Sequence, residues 1–138
     1  MKIVLIIIGF IIIIFLISRV NRRNRVAGGK GYQRTSPAEV KKRLDAGEKV
    51  FLVDVRTPSE YAEKHIPKSL LLPLERFEQE APKKLPDKDA QIFVYCLTGR
   101  RSASGVRTLV NLGYSNVYDM GGMMNWPGKM ETGSRSGA

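Results

Sequence analysis

The residues best suited to chemistry in this 138-residue chain surround its single cysteine, Cys96. An apolar run at residues 91–95 precedes the cysteine, and a glycine and two arginines follow it at residues 99–101. Ser102 then begins an amphipathic pattern that is typical of a helix. The stretch predicts a thiol at the carboxyl end of a buried strand, facing a helix N-terminus, where an anion is stabilised.

The chemistry that such a loop supports depends on the charge of the sulfur. Gly99 permits a tight turn that directs successive backbone N–H groups inward, and Arg100 and Arg101 add positive charge. These surroundings stabilise a thiolate, a persulfide with its anionic terminal sulfur, or an anionic oxyacid bound beside the thiol. A lone cysteine is more often an inert core residue, but the glycine and the arginines after Cys96 favour a functional role.

The elements that position this loop can be predicted from capping residues and apolar runs. Ser36 and Thr57 each begin a predicted helix, because a glutamate three positions later completes a capping box. Nearly continuous apolar runs predict strands that are covered on both faces. Helices are therefore expected at about residues 36–47, 57–63, 74–81 and 102–112, and strands at about 50–55, 69–72, 91–95 and 116–120.

This alternation of helices and buried strands predicts an α/β fold with a mostly parallel central sheet flanked by helices. In such sheets ligands bind beyond the carboxyl ends of the strands. Cys96 stands at that end of its predicted strand. The fold class and the chemistry of the loop thus point to the same place.

The N-terminal arm differs in composition from the rest of the chain. Residues 1–34 carry seven basic side chains and no acidic one, whereas the other 104 residues carry 16 basic and 13 acidic side chains. Residues 3–17 are apolar apart from Gly9, and four arginines follow between residues 19 and 25. This order predicts a transmembrane anchor at residues 1–18 rather than a cleaved signal peptide, which would end in a small-residue cleavage site.

The charges after the anchor predict how the chain would be placed. Arginines next to an apolar span resist translocation, so we expect a single-pass protein of the inner or plasma membrane with a cytoplasmic C-terminal domain. A membrane surface explains the basic arm better than nucleic acid does, and no nucleic-acid partner is expected. Residues 19–34 are predicted to form a basic, Gly-rich tether, and residues 128–138 a disordered tail.

Residues 35–127 resemble a single rhodanese domain, which is a sulfurtransferase module. The Cys96–Ser102 loop is similar to the family pattern Cys-x-x-Gly-x-Arg-Ser, and it is the most informative match. The ordered set of motifs covers the whole domain and is more specific than the loop alone. The remaining matches are Asp54-Val55-Arg56, Glu60-Tyr61, His65-Ile66-Pro67, Asn116-Val117-Tyr118, Gly121-Gly122 and Trp126.

The resemblance implies a rhodanese-like fold and a sulfurtransferase activity. Cys96 would be catalytic, taking sulfane sulfur from a donor such as thiosulfate and passing it, as a persulfide, to a thiophilic acceptor such as cyanide or a thiol. No cofactor or metal is implied, and the partners would be a small sulfur-containing anion, a thiol or a sulfur-accepting protein. The residues that would bind the substrate are those of the loop: Leu97, Thr98, Gly99, Arg100 and Arg101.

Four other conspicuous residues are predicted to be structural. Asp54 and Arg56 are expected to fix the end of their strand and its loop rather than touch substrate. His65 has no nearby metal-ligand partners in the sequence, and Trp126 is expected to pack near the loop.

Two alternatives to a freely turning-over sulfurtransferase remain open. The first is a membrane-tethered sulfur-relay or binding module that serves one protein partner. The second is a Cys-loop phosphatase or arsenate reductase, but that class has arginine at the sixth position after the cysteine. In this chain Arg101 is the fifth residue after Cys96 and Ser102 the sixth, and the shorter loop favours a single sulfur atom over a phosphoryl group.

Overall fold

The structure, a computed structural model, describes residues 1–26 and 32–134. The helices and strands alternate along the chain after a long N-terminal helix. The helices are α1 (Lys2–Val26), α2 (Pro37–Asp45), α3 (Pro58–Glu63), α4 (Phe77–Lys84) and α5 (Arg100–Asn111), with 3-10 turns at Leu74–Arg76 and Met123–Asn125. The strands are β1 (Phe51–Asp54), β2 (Leu70–Leu71), β3 (Ile92–Cys96) and β4 (Val117–Gly122).

The four named strands form one parallel sheet in the order β2-β1-β3-β4. Parallel strands need crossover connections, and the helices between them supply these and cover the sheet. The predicted α/β architecture with a parallel sheet flanked by helices is therefore confirmed. All strands end at the same edge of the sheet, and Cys96 is the last residue of the central strand β3.

The two faces of the sheet bury two separate apolar clusters, because side chains alternate along a strand. Val94 and Cys96 of β3 face α4 and α5, where they join Phe77, Val106 and Leu109 in one cluster. The opposite face buries a second cluster, which contains Phe93, Tyr95, Val40, Leu52, Ile66, Met120 and Met123. The cysteine side chain thus lies on the α5 side of the sheet.

The capping residues set the starts of the two predicted helices. Thr57 accepts a hydrogen bond from the backbone N–H of Glu60 while the Glu60 side chain accepts from the Thr57 backbone, which is a complete capping box. Ser36 likewise accepts from the Glu39 N–H at 3.2 Å. The second half of that box is missing, because the Glu39 carboxylate instead accepts from Arg43 at 3.1 Å.

The predicted membrane anchor needs a correction. Within the described ranges, no helix combines the length and the apolar character that crossing a membrane requires. The anchor is unsupported, and the prediction of a single-pass membrane protein with a cytoplasmic domain is wrong.

The structure describes parts of the predicted tether and tail. Helix α1 continues to Val26, residues 27–31 of the tether lie outside the described residues, and residues 32–35 run beside β4. At the other end, Glu131 and His65 exchange two backbone hydrogen bonds of 2.8 Å. The chain around Glu131, which is part of the predicted tail, is therefore paired with the domain. Residues 135–138 of the tail lie outside the described part.

Candidate active site

Cys96 places its sulfur inside the loop that joins β3 to α5. Its side chain is 1% exposed, and the backbone N–H of Gly99 donates a hydrogen bond to Sγ at 2.9 Å. A backbone N–H pointing at a sulfur at the N-terminus of a 12-residue helix stabilises negative charge on that sulfur. The structure thus has the predicted arrangement of thiol, turn and helix N-terminus, and its effect on the charge of the sulfur stays a prediction.

Gly99 makes the tight turn possible. Its φ of +105° lies in the left-handed region, where a side chain would be strained. The turn lets α5 begin at Arg100, two residues before the predicted start at Ser102. The Ser102 hydroxyl is buried in the first turn of the helix and donates to the Gly99 carbonyl at 3.1 Å. This hydrogen bond stabilises the backbone turn at Gly99.

Gly122, the last residue of β4, lies directly against the backbone of the cysteine loop. The pairing of β3 with β4 shifts register between Val94 and Tyr95, which brings Gly122 opposite Cys96. A Cβ on Gly122 would lie 2.6 Å from the Leu97 carbonyl oxygen and 3.1 Å from the Thr98 Cα. Only a glycine lets the cysteine loop lie this close to the strand, so Gly122 is part of the site.

Arg101 is held by Glu60 of α3 rather than pointing freely at the sulfur. Two parallel hydrogen bonds join the side chains, from Nη1 to Oε1 at 2.6 Å and from Nη2 to Oε2 at 2.9 Å. This two-point geometry is the strongest kind of Arg–carboxylate contact. The pKa of Arg101 is raised, chiefly by the hydrogen bond to Glu60. Glu60 thus holds the Arg101 guanidinium as a cation on the side of α3.

The other predicted substrate-binding residues form the open side of the loop. Leu97 and Thr98 are exposed, Gly99 is partly buried, and Arg100 is exposed and makes no hydrogen bond or ion pair with any residue that the structure describes. The structure therefore brings all five predicted residues together around Cys96, but it engages the two arginines differently. Arg101 is committed to an ion pair, and Arg100 is available to solvent or to a ligand.

The Glu60–Arg101 pair makes stability depend on pH. The hydrogen bond from Arg101 lowers the pKa of Glu60 from 4.5 to about 2, with hydrogen bonds from Thr57 adding to this and burial opposing it. The carboxylate is therefore ionised in the folded protein at pH values where it is already protonated in the unfolded chain. Its contribution to stability is complete above about pH 4.5 and is lost as the pH falls towards 2.

We expect Glu60→Gln to flatten the acid dependence of stability, because glutamine takes up no proton in this range. The melting temperature of the unmodified protein should fall more steeply between pH 5 and pH 2.5 than that of the variant. Thermal unfolding followed by circular dichroism at a series of pH values measures this. Glu63→Gln is the matched control, since it removes an exposed carboxylate from the same helix. Parallel curves for Glu60→Gln and the unmodified protein would contradict the assignment.

Asp54 and Arg56 support the site from the end of β1. Both side chains are buried, and Arg56 Nη2 donates to Asp54 Oδ2 at 2.7 Å and to the Lys64 carbonyl at 2.7 Å. These contacts tie the end of β1 to the end of α3, and α3 carries Glu60. His65 is also a structural residue: its ring stacks on Tyr61, with 3.7 Å between the ring centroids, and its Nδ1 lies 2.7 Å from the Tyr61 carbonyl.

A cleft of about 420 Å³ opens beside the cysteine loop. Its walls combine apolar side chains with the buried end of the Arg56 side chain and with three charged residues of α3 and its C-terminal end. Trp126 lies in this wall, so it borders the site instead of only packing beneath it. The lining residues are Leu97, Met123, Met124, Trp126, Gly128, Met130, Arg56, Glu60, Glu63 and Lys64.

Sequence reasoning missed two residues of the site. Glu60 is recognised in the sequence as a capping residue and as part of the Glu60-Tyr61 match, but its role beside the loop is not, since its partner Arg101 lies 41 positions away and no local pattern links them. Gly122 is recognised as part of a glycine pair after a strand, but its contact with the Leu97 carbonyl depends on the register of two strands. A glycine pair directly after a buried strand was the available signal.

Comparisons with known proteins agree with this geometry. The family model described as "Rhodanese-like domain" matches residues 36–129, which is most of the chain and includes the whole cysteine loop. Among solved structures, the rhodanese-like domain of the Alr3790 protein from Anabaena sp. superposes with a TM-score of 0.67 at 28% identity, covering 74% of this chain and 80% of that one.

Two curated relatives carry names that refer to sulfur transfer. The thiosulfate sulfurtransferase PspE of Escherichia coli is 32% identical over 71 residues, which are 51% of this chain and 68% of that protein. YrkF of Bacillus subtilis, named as a proposed sulfur carrier protein, is 36% identical over 92 residues, covering 66% of this chain and 49% of the relative. The chain thus spans about half of one relative and two thirds of the other. From the family match and the site together, this chain belongs to the rhodanese-like domain family.

Proposed function

We propose that this protein is a sulfurtransferase in which Cys96 carries sulfane sulfur as a persulfide. The observation that carries the proposal is the hydrogen bond from the Gly99 N–H to Cys96 Sγ inside a loop that opens onto the N-terminus of α5. In this proposal, the terminal sulfur of the persulfide lies near the backbone N–H groups of the same loop. Sulfurtransferase activity at the level of the family supports the proposal.

The proposed first half-reaction loads the cysteine. The Cys96 thiolate attacks the outer sulfur of a donor such as thiosulfate, and a new S–S bond forms. The S–S bond of the donor breaks, and sulfite leaves with the electron pair, so no external oxidant or reductant is needed. The negative charge then resides on the terminal sulfur, where the backbone N–H groups of residues 97–101 and the α5 N-terminus stabilise it.

The proposed second half-reaction unloads the persulfide. A nucleophile such as cyanide or a thiolate attacks the terminal sulfur, and the bond between that sulfur and Cys96 Sγ breaks. The electron pair returns to Cys96, which restores the thiolate. Since the sequence has no second cysteine, no resolving thiol of the same chain takes the sulfur, and it must leave to an external acceptor.

We assign distinct roles to the two arginines in this cycle. The guanidinium of Arg100 is exposed at the mouth of the loop and pairs with none of the described residues, so it is suited to attract an anionic donor. Arg101 is fixed by Glu60 and is suited to keep positive charge at a constant distance from the sulfur.

The test of the proposed function is a steady-state assay on the purified full-length chain with thiosulfate and cyanide. We expect thiocyanate to form in proportion to enzyme concentration, with saturation in thiosulfate. An absence of thiocyanate over the non-enzymatic background, with correctly folded protein, would overturn the proposal of free turnover.

A dedicated relay to one acceptor is the second candidate, and the cleft beside Leu97 favours it. Its volume of about 420 Å³ exceeds what cyanide needs and falls in the range of sites for larger molecules. Relay also agrees with the name of the relative YrkF, a proposed sulfur carrier. Loading of Cys96 without thiocyanate release, but with transfer to a bulky thiol, would favour this relay over free turnover.

A further inference from the structure

Residues 32–35, which precede the family domain, pair with the edge strand β4 of the sheet. Residue Arg34 forms a parallel β-bridge with Asp119 of β4. The Asp119 N–H donates to the Gln33 carbonyl at 2.8 Å, and the Thr35 N–H donates to the Asp119 carbonyl at 3.0 Å. Since β4 is the last strand of the sheet, residues 32–35 cover its outer edge. This edge segment lies before residue 36, where the family match begins.

Asp119 connects this edge segment to the site. Its side chain is only 4% exposed, and its two carboxylate oxygens serve two different partners. Oδ2 accepts a hydrogen bond from the Tyr32 hydroxyl, and Oδ1 accepts from the backbone N–H of Gly121 at 2.8 Å. The second bond spans the irregularity where the register of β3 and β4 shifts, so Asp119 holds the backbone that follows it.

The backbone that Asp119 holds, at Gly121 and Gly122, packs against the cysteine loop. Gly121 has a φ of +81° and lies against Gly99, because a Cβ on Gly99 would be 3.7 Å from the Gly121 Cα. The next residue, Gly122, contacts the Leu97 carbonyl and Thr98 closely. A displacement of this glycine pair therefore moves the loop that surrounds the sulfur.

Tyr32 is held in place from a second side. The guanidinium of Arg107, on α5, lies 5.5 Å from the centre of the Tyr32 ring, and that of Arg34 lies 5.4 Å away. Arg34 Nε also donates to the Tyr32 hydroxyl at 3.3 Å. These contacts orient the hydroxyl towards Asp119, and a cation over an aromatic face is favourable.

From this chain of contacts we infer that Tyr32 is a positioning residue for the Cys96 loop, acting through Asp119 and the Gly121–Gly122 pair. The residues before the family domain thus help to set the geometry of its active loop. Tyr32 is not among the residues that line the cleft. Its effect on sulfur transfer rests on the proposed function, whereas its effect on the loop does not.

The test is the rate at which iodoacetamide alkylates the full-length protein. Cys96 is the only cysteine and is buried, so its alkylation requires the loop to open. Tyr32→Phe keeps the ring and removes the hydroxyl, and we expect about a 10-fold faster reaction, because a hydrogen bond to a charged group is lost. Asp119→Ala removes both side-chain bonds and should give a larger increase.

Tyr118→Phe is the matched control. Tyr118 is the neighbour of Asp119 on the same strand, and its hydroxyl makes no hydrogen bond with the residues that the structure describes. Its alkylation rate should equal that of the unmodified protein. An unchanged rate in Tyr32→Phe, an equal increase in Tyr118→Phe, or an increase that matches the change in the global unfolding constant would overturn the inference.

The assay of sulfur transfer separates the inference from the proposed function. If the unmodified protein turns over thiosulfate, Tyr32→Phe should lower kcat more than it raises KM, because the loop holds the reacting sulfur while Arg100 remains free to attract the donor. If the unmodified protein shows no turnover, the proposed function fails, and the alkylation rates still decide whether Tyr32 positions the loop.

Discussion

Cys96→Ser should abolish sulfur transfer. The hydroxyl of serine is a far weaker nucleophile than a thiolate and forms no persulfide, so we expect kcat/KM with thiosulfate and cyanide to fall by at least about 10⁴-fold. The sulfur is buried and accepts one hydrogen bond, from Gly99. A serine oxygen can accept the same bond, so the fold should survive.

Stability measurements are needed beside the assay of Cys96→Ser. Urea unfolding should show a free energy within about 1–2 kcal/mol of the unmodified protein, which is the range of an ordinary core substitution. Cys96→Ala is a second variant that removes the thiol without adding a hydroxyl, and it should be equally inactive. Thiocyanate formation by either variant at more than a small fraction of the original rate would place the chemistry elsewhere.

Gly122→Ala should have the second-largest effect, although residue 122 carries no reactive group. The new Cβ would lie 2.6 Å from the Leu97 carbonyl oxygen and 3.1 Å from the Thr98 Cα. Both neighbours are backbone atoms, so the loop itself has to move. Because a displacement of about 1 Å can cost about 100-fold in rate, we expect kcat/KM to fall by about that factor. The strain should cost about 1–3 kcal/mol of stability.

Gly113→Ala separates displacement of the loop from loss of stability. Gly113 has a φ of +92° and nothing within 4 Å of its would-be Cβ, so alanine strains the backbone by about 1–2 kcal/mol but touches no neighbour. It follows α5 at the end remote from Cys96. We expect similar destabilisation with nearly full sulfur transfer. Equal losses of activity in both variants, or an active Gly122→Ala, would refute the role of Gly122 in packing against the loop.

The fold was predictable because its signals are local. Buried strands are predicted by apolar runs. The start of α3 is predicted by Thr57 and the glutamate three positions later, which form a capping box. Each of these patterns lies within a few consecutive residues. The cysteine loop has the same property, since Gly99 and the start of α5 lie within four residues of Cys96. The parallel sheet then follows from the alternation of strands and helices.

The contacts that complete the site were not predictable from local patterns. Glu60 and Arg101 are 41 residues apart, and Tyr32 and Asp119 are 87 residues apart, so each pair is created only by the packing of the folded chain. The order of the motifs indicates that these elements are neighbours, but not which side chain bonds to which. Arg101 illustrates the difference. Its position in the loop does not indicate that its guanidinium is paired with the carboxylate of Glu60.

The N-terminal segment shows how composition alone can mislead. An apolar run followed by arginines is typical of a membrane anchor, but no helix in the described part of the chain meets the requirements for crossing a membrane. Residues 32–34, at the end of the predicted tether, are paired with β4 instead of being isolated. Backbone pairing with Asp119 depends on a free sheet edge, and the sequence of the segment does not reveal that edge.

The most direct test of the account is the intact mass of the full-length protein after exposure to thiosulfate. We expect an increase of about 32 Da, one sulfur atom, and digestion should locate it on the peptide that contains Cys96. Cyanide should remove the added mass, and Cys96→Ser should never acquire it. An unchanged mass, with Cys96 still reacting as a free thiol, would contradict the proposal that this cysteine carries sulfane sulfur.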